Sequence, residues 1–272
     1  MGIQDINNAA AAQNALTARI NNFLDTIDAD IATRQAAYNA LSADLIGIVT
    51  DRMRVQIAYS PNEAEADLSD GGHFRDWGEL LTFANSLPVG CHMLILLPEG
   101  ETLVMTQIYY EHLYGHRHFD FKATPNNPAV RPKIRVGCYD KVNYNQYYYL
   151  NPGNGGSVSL TYVDVEFDTT FNPGIGFSTG KQMFSWNTKQ RYSVDLYYCN
   201  VTGFDGVDLG MVSAGGHAEL SLRSVTIDGD MYALDRYGAY GTGILTADAV
   251  TLTNGAVLYD TGFTVGQNLL TN

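Results

Sequence analysis

The first 58 residues carry apolar side chains at alternating spacings of three and four positions. This register begins at Ile3 and continues to Val55, and twelve of the sixteen positions that it visits are apolar. The polar exceptions are Gln13, Thr17, Arg34 and Arg52. A single buried helix would show a broader apolar stripe at a period of 3.6 residues, whereas a sustained 4-3 seam is typical of a coiled coil.

Isoleucine occupies both kinds of seam position, which bears on the number of helices that associate. With the three-residue step taken as a to d, the d positions include Ile6, Ile20, Ile27 and Ile48. Isoleucine at d packs poorly in a parallel dimer and favours three or four strands. We therefore expect residues 1–58 to form a parallel trimeric coiled coil. An intramolecular helical hairpin is the alternative, although no turn signal interrupts residues 5–46.

Residues 59–72 separate this helix from a region of different periodicity. Pro61 ends the helical pattern and Gly71-Gly72 closes the acidic segment, so a hinge is expected here. Helical spacing returns once, in an entry helix that stops before Pro88. After residue 130, Val, Tyr, Thr and Leu alternate with polar residues between clusters of Gly, Asn and Asp, which is typical of strands.

Four segments share the pattern apolar-x-apolar-x-x-apolar-x-apolar. They begin at Leu160, Val194, Leu220 and Leu245, and a degenerate earlier copy begins at Ile134. The starts are 26, 34, 26 and 25 residues apart. A period near 25 built of strands suits one turn of a parallel β-solenoid, and an antiparallel sandwich is the alternative. The predicted fold is mainly β, with a short right-handed parallel β-helix and a C-terminal cap over residues 73–272.

Charge and composition exclude several classes of partner. The net charge is −13 and no lysine precedes Lys122, so a nucleic-acid partner is not expected. No window of about 20 apolar residues is present, so membrane insertion is not expected either. The three cysteines are too far apart for a disulfide framework or a paired zinc set, and no phosphate-binding loop precedes a helix. We therefore expect no cofactor.

The order of these elements resembles a known family. A trimeric coiled coil leads into a helix and an L-P-x-G…L-L-P-E-G-E-T entry from Leu87 to Thr102, followed by a short β-helix with Asn, Asp and Gly at its corners. This order resembles the pectate-lyase-like β-helix proteins of bacteriophage tails, the tail spikes and short tail fibres. The resemblance lies in the architecture, and no catalytic motif of the family is matched.

The resemblance implies a homotrimeric protein of the virion. Proteins of this kind attach to the phage tail by the N-terminus, here residues 1–58, and recognise bacterial surface polysaccharide. Two alternatives remain open, a polysaccharide depolymerase (a glycoside hydrolase or lyase) and a capsid-decorating or connector trimer that binds only phage proteins. Five or six turns offer little groove for a polymer, so binding is favoured over catalysis.

Carboxylates are the first candidates for chemistry, because hydrolysis of a polysaccharide uses a pair of them. Glu166 and Asp195 are predicted to face outward on adjacent turns, and Asp164 lies in the same turn as Glu166. The ordinary alternative is a solvated surface with Asp side chains that stabilise corners.

Aromatic and histidine clusters are the remaining candidates. A tyrosine ring suits stacking on a sugar, and an H-x-H pair places two imidazoles on one face of a strand. The candidate glycan-binding residues are Tyr144, Tyr147, Tyr148 and Tyr149, and the candidate metal ligands, near a trimer axis, are His116 and His118. Core packing for the tyrosines and ordinary surface positions for the histidines are the alternatives.

Overall fold

The chain divides into a helical unit, residues 1–51, and a second unit that is mainly β, residues 52–272. The computed structural model describes residues 2–110, 117–141, 144–168, 170, 182–184, 191–203, 209–236 and 241–271. Each unit is described by itself below.

The N-terminal helix α1 (Ile3–Met53) contains 51 residues. Its large apolar side chains lie on the surface, with exposed fractions from 37% at Ile27 to 81% at Ile3. An isolated helix gains little from exposed apolar residues, because most helical stability in proteins comes from packing an apolar face. The side chains of the predicted seam are therefore available to another helix.

The helix is five residues shorter than predicted. Residues 54–59 instead form strand β1 (Arg54–Tyr59), in which Val55, Ile57 and Tyr59 are buried and their neighbours are not. This alternation has the period of two that a strand requires, and the last seam position coincides with its first buried residue. The segment 59–72, predicted as a hinge, begins at the end of β1 and leads to a strand that pairs with β1, so it is a connection within the second unit.

The second unit contains a helix, α2 (Trp77–Ser86), and the remaining strands. In chain order the strands after β1 are β2 (His73–Phe74), β3 (His92–Pro98), β4 (Thr102–Met105), β5 (Tyr109–Tyr110), β6 (His118–Thr124), β7 (Lys133–Val136), β8 (Cys138–Lys141), β9 (Tyr144–Tyr147), β10 (Leu150–Asn151), β11 (Ser157–Thr161), β12 (Asp164–Phe167), β13 (Gln182–Phe184), β14 (Arg191–Tyr197), β15 (Asn200–Thr202), β16 (Leu209–Ser213), β17 (His217–Arg223), β18 (Thr226–Asp228), β19 (Met231–Asp235), β20 (Thr242–Asp248), β21 (Thr251–Thr253), β22 (Val257–Tyr259) and β23 (Leu269–Thr271).

Three parallel sheets contain nearly all of these strands. Sheet A has nine strands in the order β2-β1-β3-β6-β11-β14-β17-β20-β23. Sheet B has the order β21-β18-β15-β12-β7-β4, and sheet C has the order β22-β19-β16-β13-β10-β5. From β3 onward the chain visits the sheets repeatedly, so that neighbours in a sheet are distant in sequence. A separate pair, β8 and β9, is antiparallel.

Apolar residues of equivalent strands lie directly beside one another and form the core. In sheet A one such column consists of Val55, Met93, Phe119, Val158, Val194, Leu220 and Leu245. All seven side chains are buried, because alternate residues of a strand face the same side of the sheet. The described part of the chain is thus mainly β with parallel sheets and one long N-terminal helix.

The predicted repeat is in register for its last three copies only. Val194, Leu220 and Leu245 are paired neighbours, as the pattern implies. The first copy is displaced by two residues, since Leu160 lies beside Leu196 and Val158 beside Val194. A slip of two residues keeps every apolar side chain on the same face, so hydrophobic alternation alone cannot detect it.

The degenerate copy assigned to Ile134 is wrong in a similar way. Ile134 lies in sheet B, paired with Val165, and therefore corresponds to the second half of the repeat. The first half is β6, where Phe119 and Phe121 pair with Val158 and Leu160. Aromatic residues in place of Val and Leu concealed this strand from the pattern.

Helix α2 confirms the predicted helical spacing before Pro88. Asp76 caps it, because its Oδ1 accepts a hydrogen bond of 2.9 Å from the backbone N–H of Glu79. Trp77 and Leu80 are buried, and the indole Nε1–H of Trp77 donates to the carbonyl of Gln107 at 2.9 Å. The helix is thereby fixed against the sheets.

Candidate functional site

The outer face of sheet A carries a polar surface made of aligned side chains. Its middle column consists of Asp120, Ser159, Asp195, Ser221 and Thr246. The column on one side includes His118, Ser157, Ser193 and Glu219, and the column on the other side consists of Lys122, Thr161, Tyr197, Arg223 and Asp248. Equivalent positions of successive strands therefore bring carboxylates, hydroxyls and cations together.

Asp195 and Glu219 line the same cleft of about 200 Å³ on this face. Asp195 pairs with Ser221 and Glu219 pairs with Ser193, so the two carboxylates are diagonal neighbours on adjacent strands. From the strand spacing and the rise per residue, their Cα atoms are about 8 Å apart. Carboxyl groups separated by about 6.5–9.5 Å leave room for a water molecule beside a glycosidic bond.

The surroundings push the pKa values of this pair in opposite directions. A hydrogen bond from Arg191, whose Nη2 is 2.6 Å from Oε1, lowers the pKa of Glu219. Desolvation by the adjacent strands raises the pKa of Asp195, and the charge of Glu219 raises it further, while a hydrogen bond to Ser221 opposes both. A proton is therefore held more readily by Asp195 than by Glu219, which is the arrangement that an acid and a base require.

Asp164 and Glu166 instead connect neighbouring strands. Glu166 accepts from Lys133 at 2.8 Å and from Arg135 at 2.9 Å, and the hydrogen bond to Lys133 is the main reason that its pKa is lowered. Asp164 Oδ1 accepts from the backbone N–H of Asn200 at 2.7 Å. Glu166 lies in sheet B and Asp195 in sheet A, so the structure does not bring this predicted pair together. These contacts favour structural roles for Asp164 and Glu166.

The candidate tyrosines occupy different environments. Tyr147 is fully buried against Phe167 and its hydroxyl donates to the carbonyl of Asp168 at 2.8 Å, so its ring is not accessible to a ligand. Burial raises the pKa of this hydroxyl above its ordinary value. Tyr148 and Tyr149 are half-buried, and the side chain of Tyr144 lies outside the described residues.

The candidate metal ligands are not brought together by the described part of the structure. His116 lies outside the described residues, whereas His118 is on sheet A, where its Nδ1 is 2.8 Å from the hydroxyl of Ser157. The ring of His118 meets that of His92 edge-on, with 6.1 Å between centroids. No group of three His, Cys, Asp or Glu side chains suited to a metal ion occurs among the described residues.

Two features of this face were missed by sequence reasoning. Glu219 stands outside the four-position pattern, although the alternation of His217–Arg223 puts it outward. Tyr162, Tyr197 and Tyr198 were assigned to the repeat as ordinary strand residues, yet they form an aromatic cluster at its corner. The dipeptide Tyr197-Tyr198 was the available signal, but the cluster depends on a register that the sequence did not reveal.

Within the described part of the chain, neither helix combines the length and the hydropathy that a membrane span needs. Comparisons of the chain with protein-family models, with curated proteins and with solved structures give no significant match.

Proposed function

We propose that this protein is a homotrimeric structural protein of a bacteriophage virion, a tail spike or short tail fibre. Its N-terminal helix associates with two other copies as a parallel coiled coil and attaches the protein to the tail. Its second unit is a short right-handed parallel β-helix that recognises a polysaccharide of the host surface.

The exposed apolar seam of α1 is the observation that carries this proposal. Ile6 and Ile20 are 58% and 49% exposed, and Ile31 is 59% exposed. Such side chains in a 51-residue helix favour association with other helices in register, because burying each one removes apolar surface from water. Isoleucine at d positions supports three copies in particular.

The order of strands supports the β-helix. Sheet A runs β6-β11-β14-β17-β20 and sheet B runs β7-β12-β15-β18-β21, so each strand of one sheet is followed along the chain by a strand of the other. Every ladder in these sheets is parallel, and right-handed crossover is the general rule for parallel strands within one sheet.

Binding to glycans and binding to virion parts distinguish this proposal from a connector trimer. The intact chain would be incubated with a panel of bacterial surface polysaccharides and, separately, with purified phage tails and capsids. The spike or fibre predicts binding to at least one polysaccharide and to tails. Binding to capsids or tails with no polysaccharide bound would contradict it and favour the connector.

A second candidate function, a polysaccharide depolymerase, is favoured by the Asp195 and Glu219 cleft alone. In that function Asp195 would donate its proton to the leaving glycosidic oxygen, while Glu219 would take a proton from the attacking water. The separation of the two carboxylates fits the inverting mechanism, in which water attacks the face opposite the leaving group.

Release of reducing ends from a bound polysaccharide tests this second function. Asp195→Asn and Glu219→Gln should each reduce release at least a hundredfold, as loss of a general acid or base does. Glu166→Gln is the matched control, since it removes a carboxylate of another sheet and should leave release unchanged. Equal release by all three variants and the parent protein would exclude this pair as the catalytic groups.

A further inference from the structure

The three tyrosines at the corner between sheets A and B form one continuous aromatic surface. The rings of Tyr162 and Tyr198 stack in parallel, with centroids 4.9 Å apart and planes at 4°. Tyr197 meets both of them edge-on, at 6.4 Å from Tyr162 and 4.4 Å from Tyr198. All three side chains are only half-buried, so the surface is in contact with solvent.

Two of these tyrosines adopt a backbone conformation that bulky residues rarely take. Tyr162 has φ of 56° and Tyr198 has φ of 54°, both in the left-handed region. The later copies of this corner carry Ser224 and Ala249 in the same conformation, so the turn itself does not require an aromatic residue. Left-handed conformations of bulky residues are costly and are concentrated at functional sites.

Cations border the aromatic surface. The guanidinium carbon of Arg223 is 5.4 Å from the centroid of the Tyr197 ring, and Lys122 lies in the same outward column, two strands away on the other side. Arg223 Nε is 3.7 Å from Asp248, and both side chains of this pair are mostly exposed, at 63% and 71%. A long, exposed ion pair is weak, so a ligand carboxylate can replace Asp248 on the guanidinium.

We propose that Tyr162, Tyr197, Tyr198 and Arg223 form a binding site for an acidic saccharide, one that carries uronate carboxylates. The aromatic surface takes the apolar face of a pyranose ring, the tyrosine hydroxyls bond to sugar hydroxyls, and Arg223 pairs with the carboxylate. This inference rests on the proposed glycan recognition and names its site and the chemical class of its ligand.

The test uses the full-length protein and two matched sets of probes. The probes are oligomers of galacturonate, glucuronate and mannuronate, and the same oligomers with their carboxyls reduced to alcohols. The variant Tyr162→Asn/Tyr198→Asn removes two rings and keeps a residue that tolerates the left-handed conformation. Ala249→Asn makes the same change at an equivalent corner without a ring and serves as its control.

We expect the parent protein and Ala249→Asn to bind at least one uronate oligomer and to bind its reduced form about tenfold more weakly. Tyr162→Asn/Tyr198→Asn should weaken uronate binding about tenfold or more, while its melting temperature stays the same or rises because strain is relieved. Arg223→Gln should abolish the preference for the uronate over the reduced oligomer and leave binding of the reduced oligomer unchanged.

Three outcomes would overturn the inference. The tyrosine variant might unfold at a lower temperature or lose its assembly with no separate change in binding, which would assign the cluster to packing. The parent protein might bind neutral oligomers as well as uronates, or bind no uronate at all. If glycan binding by the parent persists in the tyrosine variant, the proposed glycan recognition stands and this site alone is excluded.

Discussion

The N-terminal helix and the second unit differ in where their apolar side chains go. In the second unit, aligned residues such as Phe121, Leu160 and Leu196 are at most 1% exposed, since each strand covers the next. In α1, Leu24 is 51% exposed and Tyr38 is 67% exposed. The sheets therefore contain their own core, whereas the stability of the helix has to come from contacts that one chain does not provide.

Removing residues 1–51 separates the two sources of stability and has the largest expected effect. The remaining unit should keep its β circular-dichroism signal and unfold within about 2 °C of the full chain, because its core lies within residues 52–272. It should also lose self-association. A truncated chain that is unfolded would show that the sheets depend on the helix and would contradict the comparison.

Two leucine truncations sharpen the contrast. Leu196→Ala in the core should lower the free energy of unfolding of the second unit by about 2–5 kcal/mol, since a cavity replaces buried side-chain atoms. Leu24→Ala in α1 should change that free energy by less than about 0.5 kcal/mol and weaken self-association instead. Thermal and urea unfolding followed by β circular dichroism measure the first effect, and sedimentation measures the second. Equal losses of unfolding free energy would refute the division.

A smaller effect is expected at the ion pairs between sheet B strands. The lowered pKa of Glu166 means that its charged form stabilises the fold above the unfolded pKa of about 4.3, and that this contribution is lost as pH falls through the folded pKa. Glu166→Gln should therefore lower the free energy of unfolding by about 1 kcal/mol at pH 7 and by much less at pH 3. Glu63→Gln, at an exposed glutamate between β1 and β2, is the control and should have no such dependence.

The smallest effect, of opposite sign, is expected at Asp195. Because its pKa is raised in the folded protein, stability falls as pH rises from about 3.9 through the folded pKa. Asp195→Asn should raise the free energy of unfolding at pH 7 by at most about 0.5 kcal/mol, a value limited by solvent screening of this exposed group. The gain should vanish near pH 3. Destabilisation at pH 7 would contradict the direction given for the pKa.

Period and pattern predicted the long helix, α2 and the strands that carry three of the four repeat copies. The end of α1 was missed, because Val55 satisfies both the helical seam and the alternation of β1. Phe119 and Phe121 were missed because a pattern built on Val and Leu did not include aromatic residues. Both errors arise where one side chain is compatible with two arrangements.

The candidate site was less accessible from sequence than the fold. The placement of Glu166 relative to Asp195 depended on a strand register that was two residues in error, and ladder pairing is a property of the folded chain. Glu219 lies diagonally from Asp195 only when β14 and β17 are paired. The stacking of Tyr162 on Tyr198 likewise needs two residues 36 positions apart to share one corner.

Solution mass tests the central claim, that the exposed seam of α1 joins three copies of this chain. One chain has a mass of 29.8 kDa, so light scattering should give about 89 kDa for the intact protein. Ile20→Asn/Ile27→Asn, which alters two seam positions, should reduce the mass to that of one chain. Leu16→Asn, an exposed apolar residue outside the seam, should leave the mass at three chains. A mass of one chain for the intact protein, or an unchanged trimer in the seam variant, would contradict the account.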